Sequence, residues 1–199
     1  MTARSRETQG EVTLVSNLND LDKRLRFFGI NGRTKRAINS FLPVMLPQMD
    51  AIASRFYGYL LNFPEAQAVL KSHNNDKSLQ DRQVKHWIKL FSCRFDIEFY
   101  KYSLKIGKIH YAHKVSPYLY IGSYAHIQAD LAQIASTHYA DADMRAAVLA
   151  AIARLIALDM DLALSAYTRE HWLQGRPTAA RPKAEARQQP AAETTVFVC

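Results

Sequence analysis

The most apolar run of the sequence, from Ala146 to Leu164, limits the possible folds more than any other feature. Its large apolar side chains would lie around most of a helix and not along one stripe. Such a helix has to be covered on more than one side, which predicts a buried helix. Arg154, Asp159 and Asp161 interrupt the run. Because a membrane span needs about 18 uninterrupted apolar residues, we do not predict one here.

The remaining sequence also favours helices. Long stretches place apolar residues at helical spacing instead of alternating them, and only 7 glycines and 7 prolines occur. We therefore predict an all-α chain. The predicted helices cover residues 18–28, 34–46, 48–61, 64–70, 77–93, a segment from Asp96 that carries His110, a segment from Pro117, and a last segment from Asp141 or Asp143 to about residue 172.

Local signals mark two of the helix starts. Ser116 can cap free amides, and Pro117 is tolerated in a first turn because its missing N–H costs nothing there. The polar residues at 74–76 supply a cap for the helix that follows them. We expect the Ser-Pro break to separate the helix that carries His110 from the next one.

The chain is predicted to hold one domain. A length of 199 residues and an apolar content of 48% are ordinary for one soluble globular unit. We predict a flexible N-terminal segment over residues 1–17, the domain over 18–172, and a disordered basic tail or linker over 173–199. The last segment is poor in large apolar side chains and rich in proline, alanine and charge, so it cannot bury enough surface to order itself.

Charge and cysteine content narrow the function classes. A net charge of +8 would suit nucleic acid only if the basic residues clustered on one face, and they are spread along the chain. We therefore predict no nucleic-acid partner. Cys93 and Cys199 lack a metal-ligand pattern, and the N-terminus does not resemble a signal peptide. These features predict a cytoplasmic protein without a membrane anchor.

The stretch IGKIHYAHKVSPYLYIGSY, residues 106–124, contains two histidines three positions apart, His110 and His113. No Asp, Glu, Cys or further His stands at the spacing of a zinc or di-iron site. A lone histidine on an apolar helix face is more often a hydrogen-bonded core residue than a ligand. If His110 is a ligand, its apolar neighbours suit a planar metallocofactor that brings its own equatorial ligands, which is haem. Both interpretations stay open from the residues alone.

The same stretch resembles the signature around the proximal histidine of the globin-coupled sensors and protoglobins. The resemblance continues, in order and with matching intervals, over roughly residues 18–172. It implies an all-α globin fold, a three-over-three helical sandwich with an extra N-terminal helix and a shortened distal region, that holds haem b. The other matching segments are RFYGYL at 55–60, QVKHWIKLF at 83–91, FDIEFY at 95–100 and LDMDLALSAY at 158–167.

The resemblance also implies residue roles. His110 would be the iron ligand, and Tyr57 the distal residue whose hydroxyl donates to oxygen in the pocket; by itself, Tyr57 would be interpreted as a core aromatic. Leu79 and Arg82 fall where the family lines the distal pocket. Arg82 is unusual there. It could reach a haem propionate, turn to solvent, or shift so that Gln83 faces the ligand, and the sequence leaves this open.

Two other histidines near these positions are interpreted without a role in cofactor binding. His113 has no counterpart in the signature and is interpreted as a surface or cap residue near a helix end. His86, in the family's HW pair, is interpreted as structural. The further candidate cofactor-binding residues are apolar or aromatic: Trp87, Ile106, Ile109, Val115, Tyr120 and Tyr124.

The function implied by the resemblance is a haem-based sensor of a diatomic gas, O2 and also CO or NO, and not an enzyme. It implies a homodimer through the last two long helices. Because few residues follow the domain, the signal would pass to an output protein in trans. The alternative for the last helix is that the N-terminal helices cover its second side.

Three alternative functions remain at this point. A haem enzyme that consumes nitric oxide or peroxide ranks lower, because the sequence contains no reductase segment to regenerate ferrous iron. A simple oxygen-binding protein would keep the site without signalling. A haem-free helical interaction module would keep the fold and use His110 for packing.

Overall fold

The computed structural model describes residues 17–71 and 76–174. No strand occurs in these residues, which confirms the all-α prediction. The predicted flexible segment 1–17 and basic tail 173–199 lie outside the described residues, apart from residues 17, 173 and 174, which are helical. The helices are α1 over 17–27, α2 Gly32–Met45, a short 3-10 helix Leu46–Gln48, α3 Met49–Leu60, α4 Pro64–Lys71, α5 Asp76–Phe91, α6 Ile97–Ala112, α7 Pro117–His138 and α8 Ala142–Gln174.

Helices α6, α7 and α8 each begin directly after a capping residue that the sequence predicts. Asp96, Ser116 and Asp141 each accept a hydrogen bond from the amide three residues later, at 2.8, 3.4 and 2.7 Å. Helix α2 begins two residues before the predicted start, because Asn31 caps the amides of residues 33 and 34. The predicted capping loop at residues 74–75 lies outside the described residues.

Helix α8 is the central element of the fold. It packs against α2, α5, α6 and α7. None of the helices in the described part of the chain is long and apolar enough to cross a membrane. The buried side chains of α8 include Val148, Ile152, Leu155, Ile156, Leu158 and Leu162, each at most 1% exposed.

The N-terminal helices cover one side of α8. Arg24 of α1 donates hydrogen bonds to Asp161 and to Ser165. Arg154 of α8 donates to the carbonyl of Gly29 between α1 and α2, at 3.1 Å. Most of the large apolar residues of α8 are buried within one chain, as the alternative to the dimer anticipated, whereas Leu149, Met160 and Leu164 are partly buried and Met144 is 43% exposed.

Helices α6 and α8 approach most closely at Gly107, which is buried. A Cβ atom built at Gly107 would meet the carbonyl oxygen of Ala163 and would lie 2.8 Å from the carbonyl carbon, closer than real Cβ contacts. Only glycine therefore allows this approach. His110 follows three residues later, so the contact also fixes how far His110 lies from α8.

We expect Gly107→Ala to destabilise the protein by about 2–3 kcal/mol, because the added methyl has to push two backbones apart. Urea unfolding followed by circular dichroism measures the change. Gly58→Ala in α3 is the matched control, since a Cβ there would meet nothing within 4 Å. The control should be neutral or up to about 1 kcal/mol more stable. Equal effects of the two substitutions would contradict this account of the α6–α8 contact.

Candidate functional site

A cavity of about 540 Å³ lies among helices α3 to α7. Its volume is within the range of roughly 300–1,000 Å³ that is usual for small-molecule and cofactor sites. Every candidate residue from the sequence lines it, so the fold brings them to one place, although their contacts with a cofactor stay a prediction. These residues are Tyr57, Leu79, Arg82, Gln83, Trp87, Ile106, Ile109, His110, Val115, Tyr120 and Tyr124.

His110 lies in the last turn of α6 and is oriented by its own helix. Its Nδ1 is 2.9 Å from the carbonyl oxygen of Ile106. Because a carbonyl can only accept, Nδ1 carries the proton and Nε2 keeps a lone pair. Burial lowers the pKa of His110, against a smaller opposing effect of the bond with Ile106, so the ring is neutral at pH 7. A neutral imidazole with this tautomer can bind a metal ion through Nε2.

Two further contacts hold His110 in place. The ring of Tyr120 packs against its imidazole in a T-shaped arrangement, with centroids 5.0 Å apart. The amide of Val115 donates to the carbonyl of His110 at 3.0 Å, and Lys114 has a φ of 58°. This is a Schellman ending, which stops α6 two residues after His110. His113 is the exposed C-cap residue of this helix, in agreement with its interpretation from the sequence.

The candidate residues for the side of the cavity opposite His110 lie on α3 and α5. Tyr57 is half-buried and packs in a T-shaped arrangement with Phe56, which also lines the cavity. Gln83 is half-buried, whereas Arg82 is exposed and donates from Nε to the carbonyl of Ser78 at 3.1 Å. The structure therefore has the geometry in which Arg82 turns towards solvent at the edge of the cavity and Gln83 lies deeper.

The mouth of the cavity is basic. Arg82, Lys85, Lys105 and His113 line the cavity and are exposed, and we call these four residues the basic rim. Ile109, a predicted wall residue, is 46% exposed and so also lies at the mouth. An apolar interior with cations at its edge fits a flat apolar molecule that carries carboxylates on one side. Haem has this shape and charge distribution.

A buried carboxylate lies behind the cavity wall. Asp159 of α8 is 1% exposed and accepts hydrogen bonds from Nε2 of His86 at 2.7 Å and from the hydroxyl of Tyr124 at 2.6 Å. Ser103 donates to its other oxygen at 3.4 Å. Burial by itself raises the pKa of Asp159, but the charge and hydrogen bond of His86 and the two hydroxyl donors outweigh it, so this pKa lies below its usual value.

Asp159 did not emerge as a site residue from the sequence, where it only interrupted an apolar run. The available signal was an acidic residue inside the most apolar helix. His86, interpreted as structural, does bond to Asp159, and its side chain also lines the cavity.

Two buried polar atoms in the cavity lining are without a hydrogen-bond partner in the described part of the chain. They are Nδ1 of His86 and Nε1 of Trp87. The described residues contain no group of three or more His, Cys, Asp and Glu side chains that could hold a metal ion. A metal held by His110 would therefore have to arrive with its other ligands, as it does in a planar metallocofactor.

Comparison with known proteins gives a family match and several similar structures. A family model described as Protoglobin matches residues 17–172. The chain is also similar to the heme-based aerotactic transducer HemAT of Halobacterium salinarum, with 28% identity over 102 residues. This match covers 51% of the chain and 21% of the transducer, so the chain spans only about a fifth of that relative.

Solved structures share the fold at low sequence identity. The globin domain of a Geobacter sulfurreducens globin-coupled sensor matches with a TM-score of 0.70 and 18% identity, over 73% of this chain and 96% of that domain. The ferric globin domain of E. coli DosC matches with a TM-score of 0.64 and 11% identity, over 73% and 97% of the two chains. These matches confirm the predicted globin fold.

Proposed function

We propose that this chain, which belongs to the protoglobin family, binds haem b in the cavity and senses a diatomic gas. The observation that carries the proposal is the bond of His110 Nδ1 to the Ile106 carbonyl, because it leaves a neutral ring nitrogen in an apolar cavity of about 540 Å³. Family membership supports the same cofactor. The haem iron would supply an open coordination position at which O2, CO or NO can bind.

Different residues of the cavity would hold the haem and tune its properties. His110 would ligate the iron through Nε2, and its bond to Ile106 makes the imidazole a better electron donor. Tyr57 would donate a hydrogen bond to the gas ligand, which stabilises it by about 1–2 kcal/mol. The basic rim would attract the propionates, although exposed ion pairs contribute little energy each. The apolar and aromatic lining excludes water.

The proposed output is a cytoplasmic homodimer that signals to a protein in trans. Since α8 is covered by its own chain, the support now comes from α7. Its exposed face combines two large apolar residues, Tyr118 at 62% and Ile121 at 46% exposure, with small residues. The start of α8, which follows the end of α7, exposes Ala146 and Ala150. A second copy could pack closely on such a face, because small residues let helices approach and the apolar ones gain by burial.

We expect His110→Ala to abolish stable haem incorporation, because it removes the proposed iron ligand and the ring of His86, the buried histidine of the lining, is bonded to Asp159. The Soret absorption of protein reconstituted with haem measures it. His113→Ala is the matched control, since it removes the exposed histidine three residues later, and it should keep the band. Loss of the band only in His113→Ala would show that His113, and not His110, is the ligand. A wild-type chain with no band would refute haem binding.

We expect Tyr57→Phe to accelerate O2 dissociation by roughly 5- to 30-fold, the equivalent of a hydrogen bond of about 1–2 kcal/mol, and to speed autoxidation. Stopped-flow spectroscopy measures both rates. Tyr59→Phe makes the same chemical change two residues away, on an exposed side chain stacked on His126, and should leave the rates unchanged. Identical rates in wild type and Tyr57→Phe would show that another residue stabilises the ligand. Sustained nitric oxide consumption with an electron donor would favour the enzymatic alternative.

We expect the purified protein to sediment as a dimer at micromolar concentration and Ile121→Arg to sediment as a monomer, because the added charge would be buried in the interface. Analytical ultracentrifugation measures the state. Phe27→Arg alters an apolar residue of α1 that is 86% exposed, and should stay dimeric. A monomeric wild type would contradict the dimer and leave the haem site unaffected.

A further inference from the structure

Asp159 is a buried ion that the proposed function does not use. Among the described residues it is the only Asp, Glu, Lys or Arg in the buried class, and it does not line the cavity. An ion in the core costs several kcal/mol unless donors satisfy it. Its donors come from three different helices, α5, α6 and α7. A single carboxylate on α8 therefore connects three helices that line the cavity.

The first connection leads to α5. Because the carboxylate of Asp159 can only accept, His86 donates to it from Nε2. Its second ring nitrogen, Nδ1, is buried and has no hydrogen-bond partner in the described part of the chain. Asp159 thus requires a proton on Nε2 of His86, a residue whose side chain lines the cavity.

The second connection leads to His110 through two tyrosines. Tyr124 donates its only hydroxyl proton to Asp159, so its oxygen accepts from Tyr120 at 2.8 Å. Burial and the negative charge of Asp159 raise the pKa of both hydroxyls well above the usual value, so both remain donors. The ring of Tyr120 then packs on the imidazole of His110. The chain of donors has one direction, from Tyr120 through Tyr124 to Asp159.

We propose that Asp159 is a positioning residue that acts on two walls of the cavity. It determines which nitrogen of His86 on α5 carries the proton, and it determines the orientation of the His110 imidazole on α6. The α6 half rests on the proposed function, because its effect is measured at the haem iron. The α5 half does not need the haem. Asp159 acts through other residues and touches neither the cofactor nor the gas.

Three variants separate the two connections. Asp159→Leu keeps a side chain of similar shape but removes both acceptor oxygens, including the one oxygen that accepts from His86 and from Tyr124. Tyr124→Phe breaks only the tyrosine connection and keeps the bond between Asp159 and His86. Ser103→Ala removes the longest of the three contacts to Asp159, at 3.4 Å, and belongs to neither connection.

Two measurements on the full chain distinguish positioning from a structural role. Nitrogen-15 NMR of the histidine rings reports which nitrogen of His86 carries a proton. Resonance Raman spectroscopy of the ferrous protein without gas gives the band of the iron–histidine bond. This band reports the orientation of the His110 imidazole. We expect Asp159→Leu to change both signals and Tyr124→Phe to shift or split only the Raman band. Ser103→Ala should change neither, even if it lowers the melting temperature.

Several outcomes would overturn the inference. These are an unchanged His86 signal in Asp159→Leu, an unchanged Raman band in Tyr124→Phe, or equal changes in all three variants in proportion to lost stability. If Asp159→Leu does not fold, the contrast between Tyr124→Phe and Ser103→Ala decides the α6 half, and the wild-type His86 signal decides the α5 half. A chain that binds no haem would refute the proposed function, while the NMR measurement would still test His86.

Discussion

The contact of Gly107 with Ala163 determines how α6 lies on α8, and the rest of the site depends on it. A side chain at residue 107 would overlap the backbone of α8. Ser103 lies one turn earlier on α6 and reaches Asp159, whereas His110 lies one turn later and faces the cavity. One close approach between two backbones therefore sets both the polar network and the histidine.

The central place of α8 explains how a charge can be tolerated in this core. Only a helix with neighbours on several sides can direct one carboxylate towards donors on three other helices. The cavity stays apolar because Asp159 lies behind its wall. The histidine and the tyrosines in that wall carry the effect of the charge to the cavity without exposing the charge to it. The same few helices can therefore hold a buried polar network and also line an apolar cavity.

Local signals explain which parts of the fold could be predicted from the sequence. The caps at Asp96 and Ser116 depend only on the amides that follow them, so these two helix starts agree with the prediction. For α8, the sequence allows Asp141 or Asp143, and the structure has the cap at Asp141. The candidate site residues converge on one cavity because their spacing matches a known family. The observed start of α2 lies two residues before the predicted one, because the side chain of Asn31 caps the helix there.

Features that depend on packing were not predictable in the same way. Whether an acidic residue in an apolar helix turns to solvent or to the core depends on the neighbours on every side, so the role of Asp159 was missed. The cover of α8 by α1 and α2 uses Arg24 and Arg154, which the sequence places far from their partners. The exposure of Arg82 depends on where the edge of the cavity falls, and residue spacing does not define that edge.

The Schellman ending of α6 has a mechanical consequence. The carbonyl of His110 accepts from the amide of Val115, and Ser116 next caps α7. Only four residues, 113–116, separate the two helices, and backbone hydrogen bonds hold them at both ends. The end of α6 and the start of α7 therefore form a rigid corner. A displacement of His110 would turn α7 about this corner, so the backbone can convert a small movement in the cavity into a tilt of the helix whose outer face is exposed.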